Sequence, residues 1–167
     1  MGVRNIFIRV KVLRSYLKIL SVIVIVVMVA AALWSASPIF LGGGGPRAGK
    51  VVWVGYDAGW AAAQRLNRPV MLYFHSDTCP SCKLMEANVF GDEEIAGFLN
   101  ENFVSIFINV DEPAGTDLAR KHKVLALPTV IFFTPDGVEL DKIHGYWPPE
   151  NFRKVAETVL ENFKALG

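Results

Sequence analysis

The chain has 167 residues, 52% of them apolar, with a mean hydropathy of +0.34 and a formal net charge of +1. That length suits one compact domain, the apolar content excludes a disordered chain, and the near-zero charge gives no support for nucleic-acid binding. Two cysteines, Cys79 and Cys82, exclude a disulfide scaffold and a four-cysteine zinc site within one chain.

The first 18 residues carry Arg4, Arg9, Lys11, Arg14 and Lys18 and no acid. From Ile19 to Leu41, 19 of 23 residues are apolar, and no charge appears before Arg47. A helix over 19–37 reaches about 30 Å, the thickness of a bilayer core, and Pro38 stops it. The basic flank places residues 1–18 in the cytoplasm and whatever follows the span on the periplasmic or extracellular side. A cleaved signal peptide is the competing reading. Its apolar core is long for one, and Pro38 directly after Ser35-Ala36-Ser37 makes a poor cleavage site. Ala30-Ala31-Ala32 is the other cleavage candidate, and export follows in both cases. Myristoylation at Gly2 is disfavoured by Ile6, which stands where Ser or Thr is required.

Residues 38–49 hold Gly42 to Gly45 and Pro46, a flexible linker. The remaining 50–167 carry 11 basic and 16 acidic residues, so the folded part is acidic and the positive charge sits in the tail.

This part reads as alternating strands and helices. A strand is predicted over 51–54, and a helix capped by Asp57 runs through Arg65. Val70 to Phe74 is a continuous apolar run, the pattern of a strand buried on both faces. Helical spacing returns over 80–89, and Asp92 caps a further stretch to about Asn100. A strand follows over 103–110, then a helix over 115–122 with its basic residues at the C-terminal end. Thr129 to Phe133 is the next strand. Pro135-Asp136-Gly137 turns the chain, 138–144 pairs back as a hairpin, and 149–166 closes it as an amphipathic helix. The fold class is α/β, with helices layered on a central sheet.

Cys79-Pro80-Ser81-Cys82 follows the buried strand and opens a helix. With Cys79 as N-cap, Pro80 takes the first helical position, where a missing N–H costs nothing. The N–H of Cys82 then points at the Cys79 sulfur. Free N–H groups and the helix dipole favour a thiolate there, and the thiolate is the nucleophile of disulfide exchange. Cys79 is therefore the attacking thiol and Cys82 the resolving one. A lone C-x-x-C is also half a zinc site, and His75, four residues before Cys79, is the nearest further ligand. So small a loop makes a purely structural disulfide unrewarding.

The run Phe74 to Lys83, with its Cys-Pro-Ser-Cys centre, followed by Ala126-Leu127-Pro128-Thr129, resembles the thioredoxin superfamily over essentially all of 51–166. In character it is similar to membrane-tethered thioredoxin-like proteins and to the C-terminal thioredoxin-like domain of the transmembrane reductant conductor DsbD. The resemblance implies a thioredoxin-like fold with a central mixed five-stranded sheet, here preceded by one N-terminal transmembrane helix. It implies a cis peptide at Leu127-Pro128 and a peptide groove formed by Thr78, Pro80, Leu127, Pro128 and Gly145, with Tyr146 and Trp147 beside it. It departs from thioredoxins in Thr78, where those carry Trp, in Tyr73, where those carry a buried Asp, and in the order Pro-Ser between the cysteines. Tyr73 and Glu86 are the candidates for a proton relay.

The expected protein is a membrane-tethered thiol–disulfide oxidoreductase that reduces disulfides of exported proteins, with Cys79 and Cys82 catalytic. It needs no organic cofactor and no resident metal. Its partners are protein thiols and disulfides and a membrane or periplasmic electron donor. Two other classes fit the same fold: a redox-inactive metal-delivery module using Cys79, Cys82 and His75, and a holdase using the groove without turnover.

Overall fold

The computed structural model describes residues 50–166, together with Met28. The predicted tail 1–18, span 19–37 and linker 38–49 lie outside the described residues, Met28 excepted. Among the described residues no helix is long and apolar enough to cross a membrane.

The elements run β1 (Trp53–Val54), α1 (Tyr56–Leu66), β2 (Val70–His75), α2 (Pro80–Asn88), α3 (Glu93–Asn102), β3 (Val104–Asn109), α4 (Pro113–Lys121), β4 (Thr129–Phe133), β5 (Glu139–His144) and α5 (Pro149–Leu166). Three expectations need correction. The first strand is shorter than 51–54, because the Asn100 side chain satisfies its approach: Val52 N–H donates to Asn100 Oδ1 at 2.8 Å, and Asn100 Nδ2 donates to the Lys50 carbonyl at 3.2 Å. Asp57 does not cap α1. Gly55 is the N-cap, and Asp57 lies in the first turn, where its charge still suits the dipole. Helix α4 starts two residues before Gly115, at Pro113, whose fixed φ suits a first helical position. Asp92 does cap α3, accepting the N–H groups of Glu94 and Ile95 at 2.9 Å each.

The sheet order is β1-β3-β2-β4-β5. β1 and β2 each run parallel to β3, whereas β4 is antiparallel to β2 and β5 antiparallel to β4. Period-two alternation divides the core. Met71 and Tyr73 face one layer with Met85, Phe90, Leu99 and Phe152, from α2, the turn after it, α3 and α5. Val70, Leu72 and Phe74 face the other with Ala63 of α1 and, at its margin, Leu118 of α4. Every residue of β2 is buried, which is why all of it but His75 reads as an unbroken apolar run.

Register then gathers one end of the sheet. His75 pairs with Asn109, Phe74 with Thr129, and Thr129 with His144. The segments leaving β2, β3 and β5 and the segment entering β4 therefore meet at the same edge. The C-terminal ends of parallel strands are where open α/β sheets place their sites.

Candidate active site

Cys79 is the N-cap of α2 in extended conformation, with Pro80 directly after it as the first helical residue. Cys82 N–H donates to Cys79 Sγ at 3.2 Å. The two cysteines are joined as a disulfide, with their Cα atoms 5.3 Å apart. Cys79 is half-buried, whereas Cys82 is fully buried. A half-buried cysteine and a fully buried one are suited to different steps, attack from outside and resolution from within.

The other predicted site residues lie on segments at the same end of the sheet. Thr78 and Pro80 are exposed beside Cys79. Leu127 is half-buried, and the Leu127–Pro128 peptide is cis. Ser81, half-buried, links the two segments: its Oγ lies 3.4 Å from Cys79 Sγ and donates to the Leu127 carbonyl at 3.4 Å. Gly145 N–H donates to the Pro128 carbonyl at 2.7 Å, which ties the end of β5 to the cis-proline segment, and its φ of 76° is one that side chains rarely adopt. Tyr146 and Trp147 are half-buried and pack against the core, with Asn88 Nδ2 donating to Tyr146 Oη at 3.4 Å and Trp147 Nε1 donating to the His144 carbonyl at 3.2 Å.

Beneath the disulfide lies a polar group in an aromatic setting. The Tyr73 hydroxyl is 3.2 Å from Glu86 Oε1 and 3.3 Å from the Cys82 carbonyl. His75 Nδ1 lies 3.5 Å from Glu86 Oε1, and its ring stacks on Tyr73. Burial pushes the Glu86 carboxyl up, as does the charge of Asp77, while the Tyr73 hydrogen bond and Lys83 pull it down. Burial, reinforced by Glu86, pushes the Tyr73 phenol far up, so it stays protonated and acts as a donor. Of the two relay candidates only Glu86 is thus equipped to accept a proton. His75 is more buried than a strand-end residue need be, at 4% exposure, and packs 3.9 Å from the Phe107 ring centre.

The three histidines are dispersed. His122 lies 3.5 Å from Tyr56 Oη, and His144 Nδ1 lies 3.1 Å from Thr129 Oγ1. Among the described residues no group of three His, Cys, Asp or Glu side chains is arranged to hold a metal.

Sequence reasoning passed over the residues that fix the segment before Cys79. Ser76 Oγ donates to both carboxylate oxygens of Asp111, at 3.0 and 2.9 Å, and Asp77 N–H donates to Asp111 Oδ2 at 2.8 Å. Thirty-five residues separate Ser76 from Asp111. Only the adjacency of β2 and β3 reveals the contact; the local signal is an Asx pattern, Asp111 N–H donating to Asn109 Oδ1 at 2.9 Å.

A model of the thioredoxin-like domain matches residues 56–160. The chain belongs to the thioredoxin-like family. Among curated proteins this thioredoxin-like chain is 40% identical over 81 residues to the thiol:disulfide interchange protein DsbD of Salmonella typhi, covering 47% of this chain and 14% of that protein. It is 32% identical over 116 residues to rat spermatogenesis-associated protein 20, covering 61% of this chain and 14% of that one. The chain thus spans 14% of the length of these relatives. A thioredoxin from Thermus thermophilus superposes with a TM-score of 0.61 at 34% identity, over 66% of this chain and 87% of that one. The oxidised C-terminal domain of Neisseria meningitidis DsbD has the same fold, with a TM-score of 0.51 at 24% identity over 64% of this chain and 98% of that domain. The thioredoxin-like domain is of the disulfide-oxidoreductase type, with Cys79 and Cys82 as its cysteine pair.

Proposed function

We propose that this chain is a membrane-tethered thiol–disulfide oxidoreductase that reduces disulfides in exported proteins. The observation that carries the reading is the asymmetry of the pair, a half-buried Cys79 at a helix N-terminus against a fully buried Cys82. The Cys79 thiolate attacks a client disulfide. A Cys79–client S–S bond forms, the client S–S bond breaks, and one client thiolate leaves. Cys82 then loses its proton to the Glu86 carboxylate, and its thiolate attacks Cys79 sulfur. The Cys79–Cys82 disulfide forms and the second client thiolate leaves, so the client gains two electrons and, with two protons, becomes a dithiol. A membrane or periplasmic dithiol donor reverses the oxidation of Cys79 and Cys82.

The client groove is assigned to Thr78, Pro80, Leu127, Pro128 and Gly145, supported by the contacts that link Cys79 through Ser81 to Leu127, and Pro128 to Gly145. Membrane tethering rests on the basic flank and the uncharged apolar stretch over 19–37, and periplasmic or extracellular placement of the domain follows from that charge bias. The reducing direction follows the likeness to interchange proteins such as DsbD.

In the full chain, Cys79→Ser should abolish insulin reduction, and Cys82→Ser should accumulate mixed disulfides visible on a non-reducing gel. Full turnover by the Cys79 variant would remove this mechanism. Thiol trapping in cells should find the pair mostly as dithiol; a pair held mostly as disulfide reverses the assigned direction.

A further inference from the structure

The segment between β2 and Cys79 has no secondary structure of its own, yet it sets where the nucleophilic sulfur stands. Its side chains are directed at one carboxylate. Ser76 has a single hydroxyl hydrogen, and Asp111, a carboxylate that only accepts, takes it across both oxygens at 3.0 and 2.9 Å. Ser76 Oγ must then be the acceptor in its 3.1 Å contact with Thr78 Oγ1, and it also accepts Thr78 N–H at 3.3 Å. The chain of donation runs from Thr78 through Ser76 to Asp111, while Asp77 N–H reaches the same carboxylate at 2.8 Å. Three successive residues before Cys79 are thereby held from one point.

That point is itself held. Asp111 N–H donates to Asn109 Oδ1 at 2.9 Å, and Asn109 Nδ2 donates back to Asp77 Oδ2 at 3.2 Å. The backbone adds Val110 N–H to the His75 carbonyl at 2.9 Å and Cys79 N–H to the Ser76 carbonyl at 3.1 Å. The last of these makes Cys79 the end of a turn whose first residue, Ser76, is buried and tied to Asp111.

We infer that Asp111 is a positioning residue for the nucleophile: through Ser76, Asp77 and Thr78 it holds Cys79 as the N-cap of α2, with its sulfur facing Cys82 N–H. The inference rests on the assignment of Cys79 as attacking thiol. Thr78 itself is exposed, so it is its hydrogen bonds to Ser76, and not burial, that tie it to this network.

The sign of one measurement separates this role from its rivals. Removing a negative charge near a thiol, by itself, stabilises the thiolate and lowers the thiol pKa. Releasing Cys79 from Cys82 N–H does the opposite. The full chain in detergent, reduced with dithiothreitol, is alkylated with iodoacetamide across a pH series, which reports the Cys79 thiol without any client. Asp111→Ala should raise the Cys79 pKa by about one unit, making alkylation about ten-fold slower below that pKa. Asp111→Asn, which keeps one acceptor for Asp77 N–H, should recover part of the shift. Ser76→Ala, which cuts the central link and leaves the carboxylate charge in place, should shift the pKa in the same direction by less, and it decides the matter if Asp111→Ala does not fold. A lowered pKa assigns Asp111 a purely electrostatic effect, and a lowered melting temperature with unchanged pKa assigns it a purely structural one. Either result overturns the inference. Failure of the oxidoreductase reading looks different: the wild-type chain alkylates normally at Cys79 yet reduces no insulin.

Discussion

Glu86 and Tyr73 stand close to each other below the disulfide but have opposite proton chemistry. The phenol is held protonated by burial and by the neighbouring carboxylate, so it donates. The Glu86 carboxyl is pushed up chiefly by burial, so its proton affinity lies nearer that of its surroundings at neutral pH than an exposed glutamate's does. A base works only when ionised, which for Glu86 means above its raised pKa. The rate at which Cys82 resolves a mixed disulfide should therefore rise with pH through that value and then level. Glu86→Gln keeps the shape and an acceptor for Tyr73 but cannot take a proton. Its resolution rate in rapid-mixing experiments should fall at neutral pH by about a hundred-fold, the lower end of the usual range for general-base catalysis, and should lose the rising limb. A glutamine variant with an unchanged pH profile would assign the proton to water instead.

At the level of elements, helices α3 and α4, which precede and follow β3, differ in how they tolerate change. Gly97 lies on an exposed turn of α3, and a Cβ there meets nothing within 4 Å. Gly97→Ala should stabilise the domain by about 0.5–1 kcal/mol, the intrinsic helix preference of alanine over glycine. Gly115 lies where α4 crosses the end of β3, and a Cβ there would collide with the Asn109 carbonyl. Gly115→Ala should lower the urea midpoint and displace the 109–111 segment, slowing Cys79 alkylation as well. The same contrast explains what could be read from sequence. Strand β2 was legible because burial on both faces leaves an unbroken apolar run, and α2 because Cys79, Pro80 and Cys82 are local neighbours whose spacing sets a cap. The turn at Pro135 to Gly137 and the amphipathic α5 were legible for the same reason, since each depends on residues a few positions apart. The Asp111 lacing was not legible. Its members are ordinary polar residues in two loops, and they become one structure only when β2 and β3 pair in the register that sets His75 opposite Asn109. The cap of α1 was misassigned because Asp57 and Gly55 both permit a helix start, and only the backbone decides between them.

For the whole molecule, charge and hydropathy are divided along the chain. Five basic residues precede an uncharged apolar stretch, and the acidic part of the chain follows a glycine-rich sequence. A cavity of about 670 Å³ lies by Arg68, Thr134 and Phe163, at the other end of the sheet, and none of the site residues lines it. A half-buried cysteine at a helix N-terminus suits a disulfide presented on another protein's surface, and tethering both partners to one membrane would raise their effective concentration. This organisation makes two linked predictions from one preparation. The full chain should stay with the membrane fraction after alkaline carbonate washing, and protease added from the outer side should release the domain. A soluble product beginning after Ala32 or Ser37 would instead show that the apolar stretch is a cleaved leader. If the tether holds, a chain lacking residues 1–37 should reduce insulin in solution at the full-length rate, because the groove and both cysteines are intact. The same truncated chain should be re-reduced by a membrane-bound dithiol donor about a hundred-fold more slowly at equal total protein, the lower end of the gain that linking two sites confers.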